Sequence, residues 1–138
     1  MKQTFLSPHF TLEELTTTKT GITNIPNDND VNQLRNLCND ILEPLREKLG
    51  CPLIVDSGFR SQAVNEAVGG VPTSQHKLGQ AADIHSSVQT SRIWDAINSL
   101  VINGSLNIGQ CIWYRKSNFI HVSLPTRTLE NDFIKLDK

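Results

Sequence analysis

The sequence has few cysteines, and they do not form a pattern typical of a cross-linked or metal-bound scaffold. Its three cysteines, Cys38, Cys51 and Cys111, lie far apart and never occur as a CxxC pair. An odd number at such spacings fits neither a disulfide framework nor a thiolate zinc knuckle. We therefore expect buried, reduced thiols, because free cysteine behaves mainly as a small apolar side chain.

The sequence also lacks an excess of one charge. Thirteen Lys and Arg residues are scattered among fourteen Asp and Glu residues, and the formal net charge is −1. This balance argues against nucleic acid or an anionic membrane as the main partner, because both attract clustered positive charge.

No long apolar run is present. The N-terminal stretch "MKQTFLSPHFTLEEL" has no apolar region of signal-peptide length and no small-residue cleavage site. We expect no membrane insertion and a cytoplasmic location as synthesised. The 138 residues, 38% of them apolar, suffice for one globular domain over residues 1–138, which we expect to be a monomer.

Helical patterns dominate the first half of the chain. Thr11 and Glu14 have the spacing of a capping box at a short helix. A longer amphipathic helix should follow, which Pro44 kinks or splits and Gly50 ends. Its apolar positions recur at steps of three and four residues: Val31, Leu34, Cys38, Ile41, Leu45 and Leu49. The stretches "SQAVNEAVGG" and "TSRIWDAINSLVING" predict two further helices.

Strand patterns occur mainly in the second half. "CPLIVDSGFRS" predicts a strand that runs into a tight turn at Ser57 and Gly58, whereas "IGQCIWYR" and "NFIHVSL" predict a hairpin joined by "KSN". The final "TRTLENDFIKLDK" gives no clear pattern. The predicted fold class is α+β, with helices packed on a small, mainly antiparallel sheet.

The stretch "SQHKLGQAADIH" combines metal-binding side chains with small residues. A catalytic zinc site uses three protein ligands and leaves a fourth position for water, and His76, Asp83 and His121 could supply such a set. Gly79 would let the chain turn between the first two ligands, and the small pair 81–82 would leave room for the metal. Asp83 would then begin a strand whose neighbour carries His121.

Spacing alone leaves the third ligand open. Alternation along a strand places Asp83 and His85 on the same face, so His85 competes with His121. The metal-free alternative is a polar loop, in which His76 is an exposed histidine and Asp83 caps a turn.

Several motifs together resemble the zinc D-alanyl-D-alanine carboxypeptidase family, in the phage and bacterial branch of the murein peptidases. They are "SGFRS", Asn65 with "VGG", "SQHKLGQAADI" and "FIHVS", and the similarity runs from about Phe10 to Leu124. The wider superfamily includes phage endolysins, vancomycin-resistance D,D-dipeptidases and the hedgehog signalling domain. The resemblance implies the zinc-binding fold of that superfamily.

Carried over to this sequence, the resemblance implies Zn²⁺ held by His76, Asp83 and His121. Arg60 matches the arginine that engages substrate, and its guanidinium suits a terminal carboxylate or the oxygen that becomes negative in the transition state. Ser74 matches a serine beside the substrate cleft. The alternatives are a surface role for Arg60 and a hydroxyl of Ser74 that satisfies loop backbone.

The implied activity is that of a zinc metallopeptidase in which a zinc-activated water hydrolyses peptidoglycan stem peptides. Such an enzyme would either release a terminal D-alanine as a carboxypeptidase or cut within the stem as endolysins do. Phage-type release to the cell wall would fit the missing export signal. The alternative function is a zinc- or cell-wall-binding module of the same fold with impaired catalysis.

The sequence departs from the family at the general base, the group that takes the proton from water. Relatives place Glu, Asp or His near the last histidine, often three residues before it, and Asn118 stands there in this chain. An amide cannot take up a proton, so Asn118 could at most orient the water or the substrate. Asp56, His85 and Tyr114 are the remaining candidates.

Aromatic residues on the strand before His121 suggest one wall of a groove. Trp113 and Tyr114 are adjacent, so only one of them should face the cleft, where it would contact the peptide. Tyr114 is our candidate for substrate binding. Trp94, on the face of a predicted helix, should lie in the core.

Overall fold

The computed structural model describes residues 3–138, which form helices packed against one face of a five-stranded sheet, with a small two-stranded sheet beside them. The elements in chain order are β1 (Phe5–Ser7), β2 (Phe10–Thr11), α1 (Leu12–Leu15), α2 (Asp28–Leu37), a π-helical turn (Cys38–Leu42), α3 (Glu43–Leu49), β3 (Leu53–Ser57), α4 (Gln62–Ala67), a 3₁₀ turn (Gln75–Leu78), β4 (Ala81–Ser86), α5 (Thr90–Ile102), β5 (Gln110–Tyr114), β6 (Phe119–Ser123) and β7 (Asp132–Leu136).

The large sheet has the strand order β3-β4-β6-β5-β7. Every neighbouring pair is antiparallel except β5 and β7, which run parallel. The predicted α+β class with a mainly antiparallel sheet is therefore confirmed, and so is the hairpin formed by β5 and β6. Strand β7 was not predicted, because its "DFIKL" lacks a clear alternation of apolar and polar residues and its neighbour in the sheet is distant in sequence.

The long helix in the first half of the chain is split, as was predicted from the position of Pro44. Helix α2 begins at a capping box between Asn27 and Asp30, and α3 carries Pro44 in its first turn. Proline lacks the N–H that an α-helix needs and its ring crowds the preceding turn, so the wider π-helical turn at 38–42 accommodates it. Gly50 then ends α3 with a φ of 71°.

The two-stranded sheet is fastened to α3 through Glu43. The Ser7 hydroxyl donates to the Glu43 carboxylate at 2.6 Å, and the backbone N–H of His9 donates to it at 2.7 Å. Burial alone would raise the pKa of Glu43, but these hydrogen bonds from Ser7 and His9 lower it. The carboxylate thus fixes a hairpin too short to be predicted from its own sequence.

Helix α5 and the strands enclose the main apolar core. Cys38 and Cys111 are free and buried, and Cys51 is free and half-buried, so the predicted reduced thiols are confirmed while full burial is wrong for Cys51. Burial raises the pKa of Cys38 to about 12. The largest fully buried side chains are Phe10, Leu15, Leu34, Leu37, Ile41, Leu42, Leu45, Ile84, Ile93, Ile97, Ile108 and Ile120.

The predicted helices α4 and α5 are both present. Ser61 caps α4 by accepting a hydrogen bond from the N–H of Val64. Helix α5 has 13 residues, and Trp94 on it is half-buried and packs against the core, whereas it had been expected to lie within the core. Within residues 3–138, no helix combines the length and apolar character needed to cross a bilayer.

Gly79 connects the 3₁₀ turn to β4 where the chain passes closely over α2. Its φ is +73°, and a Cβ at this position would lie 2.5 Å from the carbonyl oxygen of Asp30 and 3.1 Å from Cγ of Leu34. Only glycine therefore permits both the left-handed turn and the close approach to the helix. The expected turn between the first two ligand residues is confirmed.

We predict that Gly79→Ala lowers the free energy of unfolding by about 2–4 kcal/mol, because left-handed strain adds to a steric clash. Gly50→Ala is the matched control, since its φ is +71° and nothing lies within 4 Å of the added Cβ. The control should lose only about 1–2 kcal/mol. Urea denaturation of both variants measures the difference, and equal losses would contradict the clash.

Candidate metal centre

Strand pairing places Asp83 beside His121. The two residues are direct partners in the antiparallel ladder of β4 and β6, so their side chains lie on the same face of the sheet. Oδ1 of Asp83 is 2.9 Å from Nδ1 of His121. The predicted neighbouring strands are confirmed, but Asp83 is the third residue of β4 rather than its first, because the residues at 81–82 also pair with β6.

His76 approaches the pair from the 3₁₀ turn and is almost fully buried. Its Nδ1 lies 2.7 Å from the carbonyl oxygen of Gly58. A carbonyl oxygen can only accept, so Nδ1 carries the proton and the lone pair of the neutral ring is on Nε2. Nε2 lies 3.2 Å from Oδ1 of Asp83. The backbone thus selects the tautomer that a metal ligand requires.

These three side chains fit a zinc ion. They form the one group of three or more His, Cys, Asp or Glu residues within 3–138 whose ligand atoms converge, all within 4.8 Å of one another. The separations of 2.9 and 3.2 Å are close to the ~3.3 Å between neighbouring ligands around a tetrahedral ion with bonds of about 2.0 Å. Two nitrogens and one carboxylate oxygen are a donor set that zinc accepts.

Asp83 is held in its ionised form. Burial by itself would raise the pKa of this carboxyl group, but its close polar contacts with the imidazoles of His121 and His76 outweigh burial and hold the pKa well below its usual range. Nη2 of Arg60 also donates to Oδ2 of Asp83 at 3.2 Å. A ligand carboxylate must be deprotonated, so this environment favours metal binding.

Arg60 lies at the edge of the ligand cluster with its guanidinium fixed in three directions. Besides Asp83, it donates from Nε to the Ser57 hydroxyl at 3.0 Å and from Nη1 to the Asn65 carboxamide oxygen at 3.3 Å. Its backbone N–H donates to the carbonyl of His76. Arg60 is therefore part of the site rather than a free surface arginine.

Asn65 and Gly70 support Arg60, and neither was assigned a role from the sequence. The buried Asn65 carboxamide accepts from Arg60 and donates to the carbonyl oxygen of Val71 at 2.9 Å. A Cβ at Gly70 would clash with Oδ1 of Asn65. The second glycine of "VGG" thus leaves room for the carboxamide, a reason that becomes visible only once the two residues are seen in contact.

The three candidate ligand residues line a cavity of about 680 Å³, which we call the metal cleft. Arg60, Ser74 and Tyr114 all line it. The Ser74 hydroxyl accepts from the N–H of His76 at 3.2 Å, so it does satisfy loop backbone.

Tyr114 faces the metal cleft and Trp113 does not, which agrees with the prediction that only one of these two adjacent residues lies on the cleft side of the strand. The Tyr114 ring stacks on Phe119 with centroids 4.4 Å apart. Trp113 donates from Nε1 to Thr90 and packs against Trp94. Burial, reinforced by the charge of Asp83, raises the pKa of Tyr114. Its hydroxyl is therefore a hydrogen-bond donor near neutral pH and is unsuited to the role of base.

His85 and Asn118 lie outside the ligand cluster. His85 contacts Asp56, with 2.8 Å between Nδ1 and Oδ2, so the cluster takes His121 as its third member. Asn118 ends the β5–β6 connection at a φ of 62°, a conformation that asparagine tolerates better than most residues. Its carboxamide oxygen accepts from the Thr90 hydroxyl at 3.1 Å, and it does not line the metal cleft.

Strands β4 and β6 present an aspartate and a histidine at the base of an open cleft, and the 3₁₀ turn adds a second histidine. Together with the fixed arginine, this arrangement is typical of a mononuclear metal enzyme. The family described as Peptidase M15 matches residues 8–123, and the chain belongs to this family of zinc metallopeptidases. The resemblance seen in the sequence is thereby confirmed. No curated protein matches the chain.

We predict that zinc binding distinguishes the two candidate third ligands. Wild-type protein should bind one zinc ion per chain, and His85→Ala should do the same. His121→Ala should lower the affinity for zinc more strongly than the loss of a residue that only supports a ligand, which costs about 10- to 100-fold. Metal analysis after dialysis measures the stoichiometry, and circular dichroism checks that both variants fold. Zinc lost from His85→Ala but kept by His121→Ala would contradict the assignment.

Proposed function

We propose that the protein is a zinc-dependent metallopeptidase that hydrolyses peptidoglycan stem peptides, with His76, Asp83 and His121 as the zinc ligands. The observation that carries the proposal is the convergence of these side chains at the base of the metal cleft in a chain of the peptidase M15 family. Zinc held there would supply Lewis acidity, which polarises a carbonyl group and lowers the pKa of water to about 7.

In this proposal Arg60 stabilises negative charge on the substrate. Three of its five N–H groups already donate within the protein, which fixes the plane of the guanidinium. Each Nη atom keeps one further N–H, and Arg60 lines the metal cleft. A fixed cationic donor suits a substrate carboxylate or the oxygen that becomes negative during hydrolysis.

Tyr114 and Ser74 are the proposed substrate-binding residues. Stacking on Phe119 restricts the Tyr114 ring, so its hydroxyl can donate to a substrate carbonyl at little entropic cost. The Ser74 oxygen accepts from the His76 N–H, and its own O–H remains a donor on the wall of the metal cleft. Both groups are neutral donors, which suits a peptide backbone.

A second candidate function is a zinc-containing module that binds cell-wall peptides without hydrolysing them. The specific observation in its favour is that Asp83 is the one carboxylate lining the metal cleft within residues 3–138. Asn118, at the position where relatives place the base, is bonded to Thr90 outside the metal cleft. Hydrolysis would then depend on a proton acceptor other than Asn118.

We predict that the zinc-loaded protein cleaves a stem pentapeptide ending in D-Ala-D-Ala, or intact sacculi, and that His76→Ala abolishes cleavage. Loss of a buried ligand removes the metal, so both activity and zinc content should disappear. Mass spectrometry of the products measures the reaction. Binding of zinc and of muropeptides without any product would favour the second candidate, and cleavage that survives His76→Ala would refute a zinc mechanism.

We further predict that Arg60→Lys keeps zinc but lowers kcat about 100-fold, the effect of losing one donor to a developing negative charge. Lysine retains the charge but not the planar fork that contacts Ser57, Asn65 and Asp83. Arg115→Lys is the matched control, because Arg115 pairs with Asp137 at the surface. Steady-state kinetics measure both variants, and equal kcat values would contradict a role for the fork.

A further inference from the structure

One wall of the metal cleft comes from the part of the chain that follows β6. Thr126, Thr128 and Leu129 line the metal cleft, and they belong to the connection between β6 and β7. This connection, residues 125–130, we call the cleft loop. It lies beyond residues 8–123, the part of the chain that matches the peptidase family. Membership of the family therefore assigns no role to the side chains of the cleft loop.

Hydrogen bonds fix both ends of the cleft loop. Before it, the N–H of Leu124 donates to the carbonyl oxygen of Gln80 at 2.9 Å, and Nε2 of Gln75 donates to the carbonyl oxygen of Leu124 at 2.9 Å. After it, the N–H of Asn131 donates to the carbonyl oxygen of Ile108 at 2.6 Å, and the N–H of Ile108 donates to the Asn131 carboxamide oxygen at 3.0 Å. Gln75 and Gln80 bound the segment that carries the first candidate ligand, so the cleft loop keeps a fixed position relative to the ligand cluster.

The cleft loop is also bonded internally. The N–H of Thr126 donates to the carbonyl oxygen of Leu129 at 2.9 Å, which closes the loop on itself. Leu129 is half-buried, whereas Thr126 and Thr128 are exposed. A loop that is ordered before binding loses little conformational entropy when a ligand contacts it. The wall thus offers a ligand two hydroxyl groups and one aliphatic side chain on a backbone that is already fixed.

The two sides of the metal cleft differ in charge. Strand order places β3 on one side of the ligand strands β4 and β6, and it places β5 on the other. Arg60, bonded to Ser57 on β3, is the one lysine or arginine that lines the metal cleft within the described residues. On the β5 side, Ile112 is the ladder partner of His121 and lines the metal cleft together with Tyr114 and the cleft loop. In the part of the chain that the structure describes, this side carries no group that is charged near neutral pH.

We propose that the cleft loop selects the substrate residue beside the scissile bond, and that Leu129 and Ile112 receive a small uncharged side chain. The hydroxyl groups of Thr126 and Thr128 bond to the peptide backbone. A charged side chain at this position would lose water without gaining a counter-charge. An aliphatic side chain such as that of alanine would instead bury apolar surface. This inference rests on the proposed hydrolysis of stem peptides.

Two series of peptides test the selection in the zinc-loaded protein. The first varies the residue before the bond that the wild-type protein cuts, and the second varies the residue after it, each as alanine, glutamate or lysine. At one of the two positions, kcat/KM for alanine should exceed that for both charged residues by at least about 10-fold, as expected for a mismatched side chain in a specificity pocket. Equal kcat/KM values for all three residues at both positions would overturn the proposal.

Leu129→Lys adds a positive charge to the cleft loop and should reverse part of this preference. The ratio of kcat/KM for glutamate to that for alanine should rise about 5-fold at the selective position, the effect of an exposed ion pair. Zinc content should stay at the wild-type value, because Leu129 is outside the ligand cluster. Ile102→Lys is the matched control, since Ile102 is 83% exposed on α5 and does not line the metal cleft. An unchanged ratio in Leu129→Lys, with the fold verified by circular dichroism, would contradict the role of this wall.

The threonine hydroxyl groups have a test of their own. Thr128→Val removes the hydroxyl group at nearly constant side-chain shape and should raise KM about 3- to 10-fold, the effect of one lost hydrogen bond. Thr128→Ser keeps the hydroxyl group and should stay close to the wild-type KM. Arg127→Ala is a control in the same loop, because Arg127 is exposed and does not line the metal cleft. Equal KM values for the valine and serine variants would count against the bond to the peptide.

Binding measured without turnover separates failure of this inference from failure of the proposed function. An uncleavable stem-peptide analogue that carries alanine should shift the NMR signals of Thr128 and Leu129 in the zinc-loaded protein, and its glutamate and lysine counterparts should bind at least about 10-fold more weakly. If no peptide is hydrolysed but these binding differences are found, the proposed function fails and the selection by the cleft loop stands. Hydrolysis without any response of the cleft loop would refute the selection alone.

Discussion

The register between β4 and β6 is the constraint on which the site depends. Direct pairing of Asp83 with His121 brings a carboxylate and an imidazole together, and His76 completes the cluster from outside the sheet. Side chains alternate between faces, so a slip of one residue would turn one of the paired ligands into the core. Hydrophobic burial of Ile84 and Ile120, which flank the ligands on the other face, therefore also determines where the polar pair points.

Local chemistry made much of the fold predictable. Pro44 and Gly50 act on their own turns, and the capping box at Thr11 satisfies neighbouring backbone groups, so these features could be read from a few adjacent residues. The strand β7 and the hairpin held by Glu43 could not, since their partners lie far away in sequence. Similarly, alternation allowed His85 as a ligand, but its imidazole contacts Asp56 on the neighbouring strand β3, and alternation along β4 alone does not reveal that contact.

Several residues around the site position other side chains rather than react, as their contacts show. Gly58 contributes a carbonyl that sets the tautomer of His76, and Gly70 leaves space for the carboxamide that orients Arg60. Residue types together with the family resemblance predicted the three candidate ligands but not these supporting residues, because a glycine or an amide gains such a role only from the group that lies opposite it. The geometry of the candidate metal centre thus depends on residues outside the cluster of His76, Asp83 and His121.

The close approach of Gly79 to α2 has a thermodynamic consequence. The turn that carries His76 rests on the backbone of Asp30, so a metal ion bound at the sheet would also restrain the first turn of a helix outside the site. An ion that binds only the folded chain adds its binding free energy to the stability of every segment whose unfolding disrupts the ligands. Zinc would then act as a cross-link that joins helix, turn and sheet, and the free energy of unfolding would rise with the zinc concentration.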